Sequence, residues 1–177
     1  MKRTTLSVLR VRRSPLNHSR GFIEAGPLRI PCALGRSGTA RRKREGDGAS
    51  VIGRFLLIQV FYRRDKRLPL RTNLPLKPIR TTDGWCDEPS DRRYNRKVTK
   101  PYPSSHESLW RDDDLYDVVV DIGINRGPIV KGRGSALFLH IARPGYAPTA
   151  GCVAVSENHM ARLLTLTGPD TVLEICG

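Results

Sequence analysis

One histidine and one cysteine stand out as residues able to do chemistry together. Residues 136–155 read ALFLHIARPGYAPTAGCVAV. An apolar run ends on His140, a loop with a Pro/Gly/Pro pattern follows, and Thr149, Ala150, Gly151 and Cys152 lead into a second apolar run. This spacing puts His140 and Cys152 at facing ends of two neighbouring strands joined by an eleven-residue connection. A cysteine attacks a carbonyl carbon as its thiolate, and a nearby imidazole removes the thiol proton and later protonates a leaving amine. Gly151 permits a tight turn, so amide N–H groups beside the thiol can face a developing oxyanion. The residue types alone equally fit a buried structural thiol near a hydrogen-bonded histidine, because free cysteine is among the most buried residue types.

Other candidates carry less. Cys86 is the rival nucleophile, but it lies between Asp83 and the neighbours Asp87 and Glu88, and carboxylates raise a thiol pKa. Cys32, after Pro31 in an apolar run, reads as core, and Cys176 lies next to the C-terminal residue. The four cysteines show no CxxC spacing and there are no His pairs at ligand intervals, so no metal, disulfide framework or cofactor is expected. The acidic run Asp112, Asp113 and Asp114 is a poor metal site, since neighbours in an extended chain point opposite ways. His159 falls in the first turn of a predicted helix, facing solvent or a substrate.

The elements that must position these residues are mostly strands. Alternating and apolar runs predict strands over 6–11, 21–25, 28–34, 115–125 and 171–175, with a central strand over 55–62. One helix is expected after the Cys152 strand, capped by Ser156, with Met160, Leu163 and Leu164 on its apolar face and Gly168 at its end. The basic, glycine-rich residues 35–48 lack GxxxxGK[ST] and read as a tight hairpin connection. The fold class is therefore mainly β: a single domain over 1–177, a β-sandwich or half-open barrel with one helix. Residues 63–107 interrupt the pattern with six prolines and twelve Lys/Arg. With Trp85, Tyr94 and Tyr102 to pack, they read as an insertion folded over the sheet as one wall of the substrate cleft. A basic flexible linker is the alternative on composition.

Thirty-one Lys/Arg against 17 Asp/Glu give a net charge of +14, a balance that favours polyanionic partners. The cations are scattered among prolines and short strands, without a basic helix or an aromatic-interleaved basic strand, so nucleic acid is not expected as a partner. No apolar run approaches the roughly eighteen residues of a membrane span. Arg10, Arg12 and Arg13 interrupt any apolar h-region near the start, so no signal peptide is expected. A monomer is expected.

The pattern His140, a spacer, then Thr149-x-Gly151-Cys152 resembles the signature of the L,D-transpeptidase (YkuD-like) family of bacterial cell-wall enzymes. Residues 43–49, KREGDGA, also resemble one branch of that family, and Ser50-Val51-Ile52-Gly53 keeps the Gly of a family Thr-Pro-x-Gly but not the Thr-Pro. The resemblance implies acyl transfer on peptidoglycan stem peptides. The Cys attacks the carbonyl of an L-centre residue, usually a diamino acid, and D-Ala leaves; a neighbouring stem's amine then resolves the thioester. By position it implies Cys152 as nucleophile, His140 as general acid and base, the N–H groups of Cys152 and Gly151 as oxyanion donors, and Thr149 as a residue that shapes the site. The family's His before the Gly is Ala150 here, and its Arg two residues after the Cys is Ala154. Arg143 and Tyr146 in the connecting loop are the candidate substrate contacts in its place, and Trp85 in the insertion is a further candidate contact. The family implies the cell envelope or periplasm, while the missing signal peptide leaves the cytoplasm open. Two other readings stand beside it: an L,D-carboxypeptidase using the same residues with water, and a basic polyanion-binding module whose cysteine is structural.

Overall fold

Period-two burial builds most of this molecule. The computed structural model describes residues 5–66 and 70–177; residues 1–4 of the basic start and residues 67–69 of the Pro/Arg-rich segment lie outside the described part. In chain order the strands are β1 (Val8–Arg13), β2 (Arg20–Ala25), β3 (Leu28–Ala33), β4 (Thr39–Ala40), β5 (Ser50–Val51), β6 (Gly53–Leu56), β7 (Gln59–Tyr62) and β8 (Leu76–Pro78). They continue as β9 (Asp83–Cys86), β10 (Lys97–Thr99), β11 (His106–Ser108), β12 (Val118–Asp121), β13 (Phe138–Ile141), β14 (Val153–Val155) and β15 (Val172–Ile175). Helix α1 (Glu157–Thr165) separates β14 from β15. Ten strands join one curled, half-barrel sheet in the order β6-β15-β1-β2-β3-β14-β13-β12-β7-β8. The architecture is mainly β.

The inner face of this sheet carries the larger core. Leu9 and Val11 of β1, Ile23 and Ala25 of β2, and Ile30 and Cys32 of β3 alternate into it. Helix α1 closes it with Met160, Leu163 and Leu164, one apolar stripe of an otherwise polar helix. Ser156 caps the helix by accepting the His159 N–H.

The central strands differ, because they are buried on both faces. Val118, Val120, Leu139, Ile141, Val153 and Val155 enter the larger core. Val119, Phe138 and Cys152 face the other way, into a second core with Phe61, Trp85, Leu115 and Tyr116. A three-stranded sheet, β10-β9-β11, supplies Trp85 to this core. The Trp85 ring stands edge-on to Phe138 at 5.0 Å and to Phe61 at 6.1 Å. Burying an aromatic of this size contributes roughly 2–3 kcal/mol. The Pro/Arg-rich segment thus lays a small sheet over the outer face of β12 and β13.

Three elements differ from the sequence expectation. The central strand predicted over 55–62 is two strands at opposite ends of the large sheet: β6 pairs with β15, and β7 with β12 and β8. The break falls where Leu57 donates its N–H to Thr171 and Ile58 to Asp121. The sheet curls until its two ends meet there, and Leu57 is buried at the seam. The strand predicted over 115–125 shortens to Val118–Asp121. Gly123 turns out of it at φ +63°, where a Cβ would come 2.7 Å from the Leu56 carbonyl oxygen. Residues 35–48 form no tight hairpin, since β4 and β5 pair parallel, and their loop reaches the site described next. No helix among the described residues is long and apolar enough to cross a membrane.

Candidate active site

β13 and β14 run parallel, with His140 opposite Ala154. Extended backbone alternates sides, so Phe138, His140 and Cys152 project from the face covered by the small sheet. Gly151, just before the cysteine, has φ +137°. A Cβ there would lie 2.9 Å from the Ala49 carbonyl oxygen and 3.0 Å from Leu137 Cδ2. Only glycine fits, and its conformation delivers the thiol to the outer face. The thiol donates to the Ala136 carbonyl at 3.3 Å, while Sγ accepts the Phe138 N–H at 3.3 Å.

His140 is oriented by its own strand. Nδ1 lies 2.8 Å from the Ile141 carbonyl oxygen, and a carbonyl can only accept, so Nδ1 bears the proton. Nε2 therefore holds the free lone pair, the arrangement a general base requires. The Tyr116 ring stands edge-on to the imidazole at 5.2 Å.

Burial sets the protonation of both groups. It lowers His140 to about 4, with the Arg111 and Arg143 charges adding to this and the Ile141 hydrogen bond opposing it. It pushes the Cys152 thiol up to about 12, reinforced by the Glu107 carboxylate and opposed by the Phe138 N–H and Lys43. The resting pair is a neutral thiol and a neutral imidazole.

Thr149 and Gly151 form a small hydrogen-bonded turn before the cysteine. The Thr149 hydroxyl donates to the Cys152 carbonyl at 2.6 Å and accepts the Gly151 N–H at 3.1 Å. The Gly151 N–H is therefore occupied, which corrects the expectation that it shares an oxyanion with Cys152. The Cys152 N–H donates to no protein group among the described residues. It is left as the backbone donor beside the thiol.

These groups lie along a cleft of about 490 Å³ that includes Cys152, His140, Thr149 and Arg143. The structure brings these sequence candidates together and separates two others. Trp85 is 2% exposed and supports the cleft from beneath, because its ring is needed in the second core. Tyr146 sits half-buried on the short turn Pro144–Tyr146 and is not part of the cleft lining. Trp85 is therefore a support of the cleft and not a surface of it. His159 is held at the helix cap by Ser156, and Cys86 is buried in β9.

The family model for the L,D-transpeptidase catalytic domain (YkuD) matches residues 23–175. The chain belongs to this family. Neither a curated protein nor a solved structure matches it. Family membership makes the chain one of a group of cysteine-dependent enzymes of peptidoglycan. At the position of the family Arg, Ala154 is buried between His140 of β13 and Ala33 of β3. Among the cleft cations, Lys43 pairs with Asp47, Arg111 with Asp113, and Arg36 reaches the Gly46 carbonyl. Arg143 has no such partner among the described residues.

Several residues of this L,D-transpeptidase cleft escape sequence reasoning. Lys43, Glu107, Arg111 and Tyr116 line it, from segments far apart in the chain and with no motif of their own. Asn95 acts behind them. Its Oδ1 accepts from Trp85 Nε1 at 2.9 Å and from the Ala136 N–H at 3.3 Å, and its Nδ2 donates to the carbonyls of Ile124 and Asn125. It braces the residue whose carbonyl receives the Cys152 thiol. The only sequence signal is the resemblance of residues 43–49 to one branch of the family.

Proposed function

We propose that this protein is an L,D-transpeptidase that acts on peptidoglycan stem peptides through a thioester on Cys152. The observation that carries the reading is a thiol and an Nδ1-protonated imidazole on one face of adjoining strands, both lining one cleft. His140 Nε2 takes the Sγ proton as sulfur attacks the carbonyl of the L-centre residue before the terminal D-Ala. The oxyanion is received by the Cys152 N–H. Collapse of the tetrahedral species breaks the C–N bond, and His140 returns the proton to the departing D-Ala amine. An amine of a second stem attacks the thioester, gives its proton to His140, and the thiol is restored. Arg143, exposed and without a carboxylate partner among the described residues, takes a substrate carboxylate. With peptidoglycan as the substrate, we assign the enzyme's work to the cell envelope.

Intact-mass measurement after exposure to a carbapenem, an acylating mimic of the donor, tests the reading. A single adduct on the wild type that is absent from Cys152→Ala is expected. An adduct on another cysteine, or none on folded protein, overturns it. Product analysis with stem tetrapeptide then separates transfer from hydrolysis, because only transfer yields cross-linked dimer.

A further inference from the structure

Glu107 is a wall residue that links the cleft to both reacting groups. It comes from β11, in register with Trp85 of β9. Its Oε1 accepts the Tyr116 hydroxyl at 2.7 Å, and Tyr116 packs against His140. Its side chain is 29% exposed in a residue that lines the cleft, so a ligand can reach it. The neighbouring cation gives it little: Arg111 Nη1 is 3.6 Å away, while its Nε and Nη2 hold Asp113 at 2.8 and 2.5 Å. Asp87 lines the same cleft, and its Oδ1 is buried with no hydrogen-bond partner among the described residues. A buried carboxylate oxygen without a donor is costly, and a cation bound beside it removes the cost. Burial raises the Glu107 pKa, with Asp87 and Asp113 adding to this and Tyr116 and Arg111 opposing it.

We propose that Glu107 is a specificity-determining residue that receives the charged side-chain amino group of the donor's diamino acid, and that this cation readies Cys152 by cancelling the negative charge beside it. The proposal rests on the acyl-enzyme reading above and adds to it a substrate charge and a coupling. A carboxylate near a thiol opposes the thiolate. The charged groups acting on Cys152 are Glu107 and Lys43, and Lys43 is held by Asp47. An ammonium on Glu107 therefore tips the balance toward proton transfer to His140 only when the correct donor is bound. Free enzyme keeps a protonated, poorly reactive thiol.

The test uses two synthetic tetrapeptides that end in an L-centre diamino acid and D-Ala, one with its side-chain amine free and one with it acetylated. Wild-type enzyme is expected to release D-Ala from the free-amine peptide about tenfold faster or more, measured as kcat/KM. Glu107→Gln is expected to lose that preference, Glu107→Asp to keep part of it, and Glu107→Gln to show several-fold faster iodoacetamide alkylation of Cys152 in free enzyme. Equal turnover of both peptides by wild type overturns the proposal without any variant. An unchanged preference, or unchanged alkylation, in a Glu107→Gln protein that still forms the carbapenem adduct overturns it as well. If wild type releases D-Ala from neither peptide and takes no carbapenem, the acyl-enzyme reading itself has failed.

Discussion

The protonation of Cys152 at rest can be read directly from its alkylation kinetics. With the thiol pushed up to about 12 by burial, roughly one molecule in 10⁴ carries thiolate at pH 8, against about a quarter for an unperturbed cysteine. The deficit is about two-thousandfold. A more basic thiolate is also a better nucleophile, and a Brønsted slope of about 0.4–0.5 recovers roughly twenty-five- to fiftyfold of it. Cys152 should therefore react with iodoacetamide about fifty- to a hundredfold more slowly than a free cysteine at pH 8. Its log rate should climb about one unit per pH unit from pH 6 to 10, without a plateau. Site-resolved mass spectrometry of timed reactions gives the rate, with partly exposed Cys176 as the comparison within the same molecule. His140→Gln should leave the rate at rest within about twofold, because a neutral imidazole does not hold a thiolate. A rate plateau between pH 5 and 7 that disappears in His140→Gln would refute the reasoning, since it would require a thiolate–imidazolium pair.

Acid stability follows from the same burial. The unfolded chain binds a proton on His140 below about 6.5, whereas the folded chain resists it until about 4. Between those values the unfolded state holds more protons, so stability falls with pH by up to about 3 kcal/mol. Urea unfolding at pH 7 and 4.5 should show this loss shrinking in His140→Gln, and parallel pH dependences would sink the idea. Gly151→Ala should destabilise by about 1–3 kcal/mol through its positive φ alone, with the 2.9 Å approach to the Ala49 carbonyl adding to it. A variant that unfolds like wild type in urea and keeps full activity would show that the turn adapts.

The part of the site that sequence reveals is the part made by neighbours in the chain. His140, Thr149, Gly151 and Cys152 fall within one strand–loop–strand unit, so period-two alternation and a glycine suffice to place them. The single helix and its buried Met160, Leu163 and Leu164 are equally local. What sequence misses is long-range. The 55–62 run looks like one strand because every residue in it suits a strand, and only curling of the whole sheet explains the break at Leu57. The glycine-rich 35–48 segment carries turn residues that say nothing of which elements its ends will pair with. Lys43, Glu107, Arg111 and Tyr116 meet through three separate connections, and a charged residue in a Pro/Arg-rich segment looks the same in sequence whether it faces solvent or a cleft. Trp85 shows the opposite limit: its size announces that it must pack, but not whether it packs under the cleft or within it.

The cover sheet sets the resting state of His140 and Cys152. A strand face left open to water would give His140 and Cys152 near-ordinary pKa values, and hydrated groups stabilise neither a directed lone pair nor a held thiol. Laying β9 to β11 over that face buries Phe138, drives both groups to their neutral forms, and fixes the thiol on Ala136 through Trp85 and Asn95. The same layer brings Asp87 and Glu107 to the wall of the cleft. Holding Cys152 neutral at rest and the proposed recognition of a substrate charge thus trace to one packing event, and it is made by the segment least readable in the sequence.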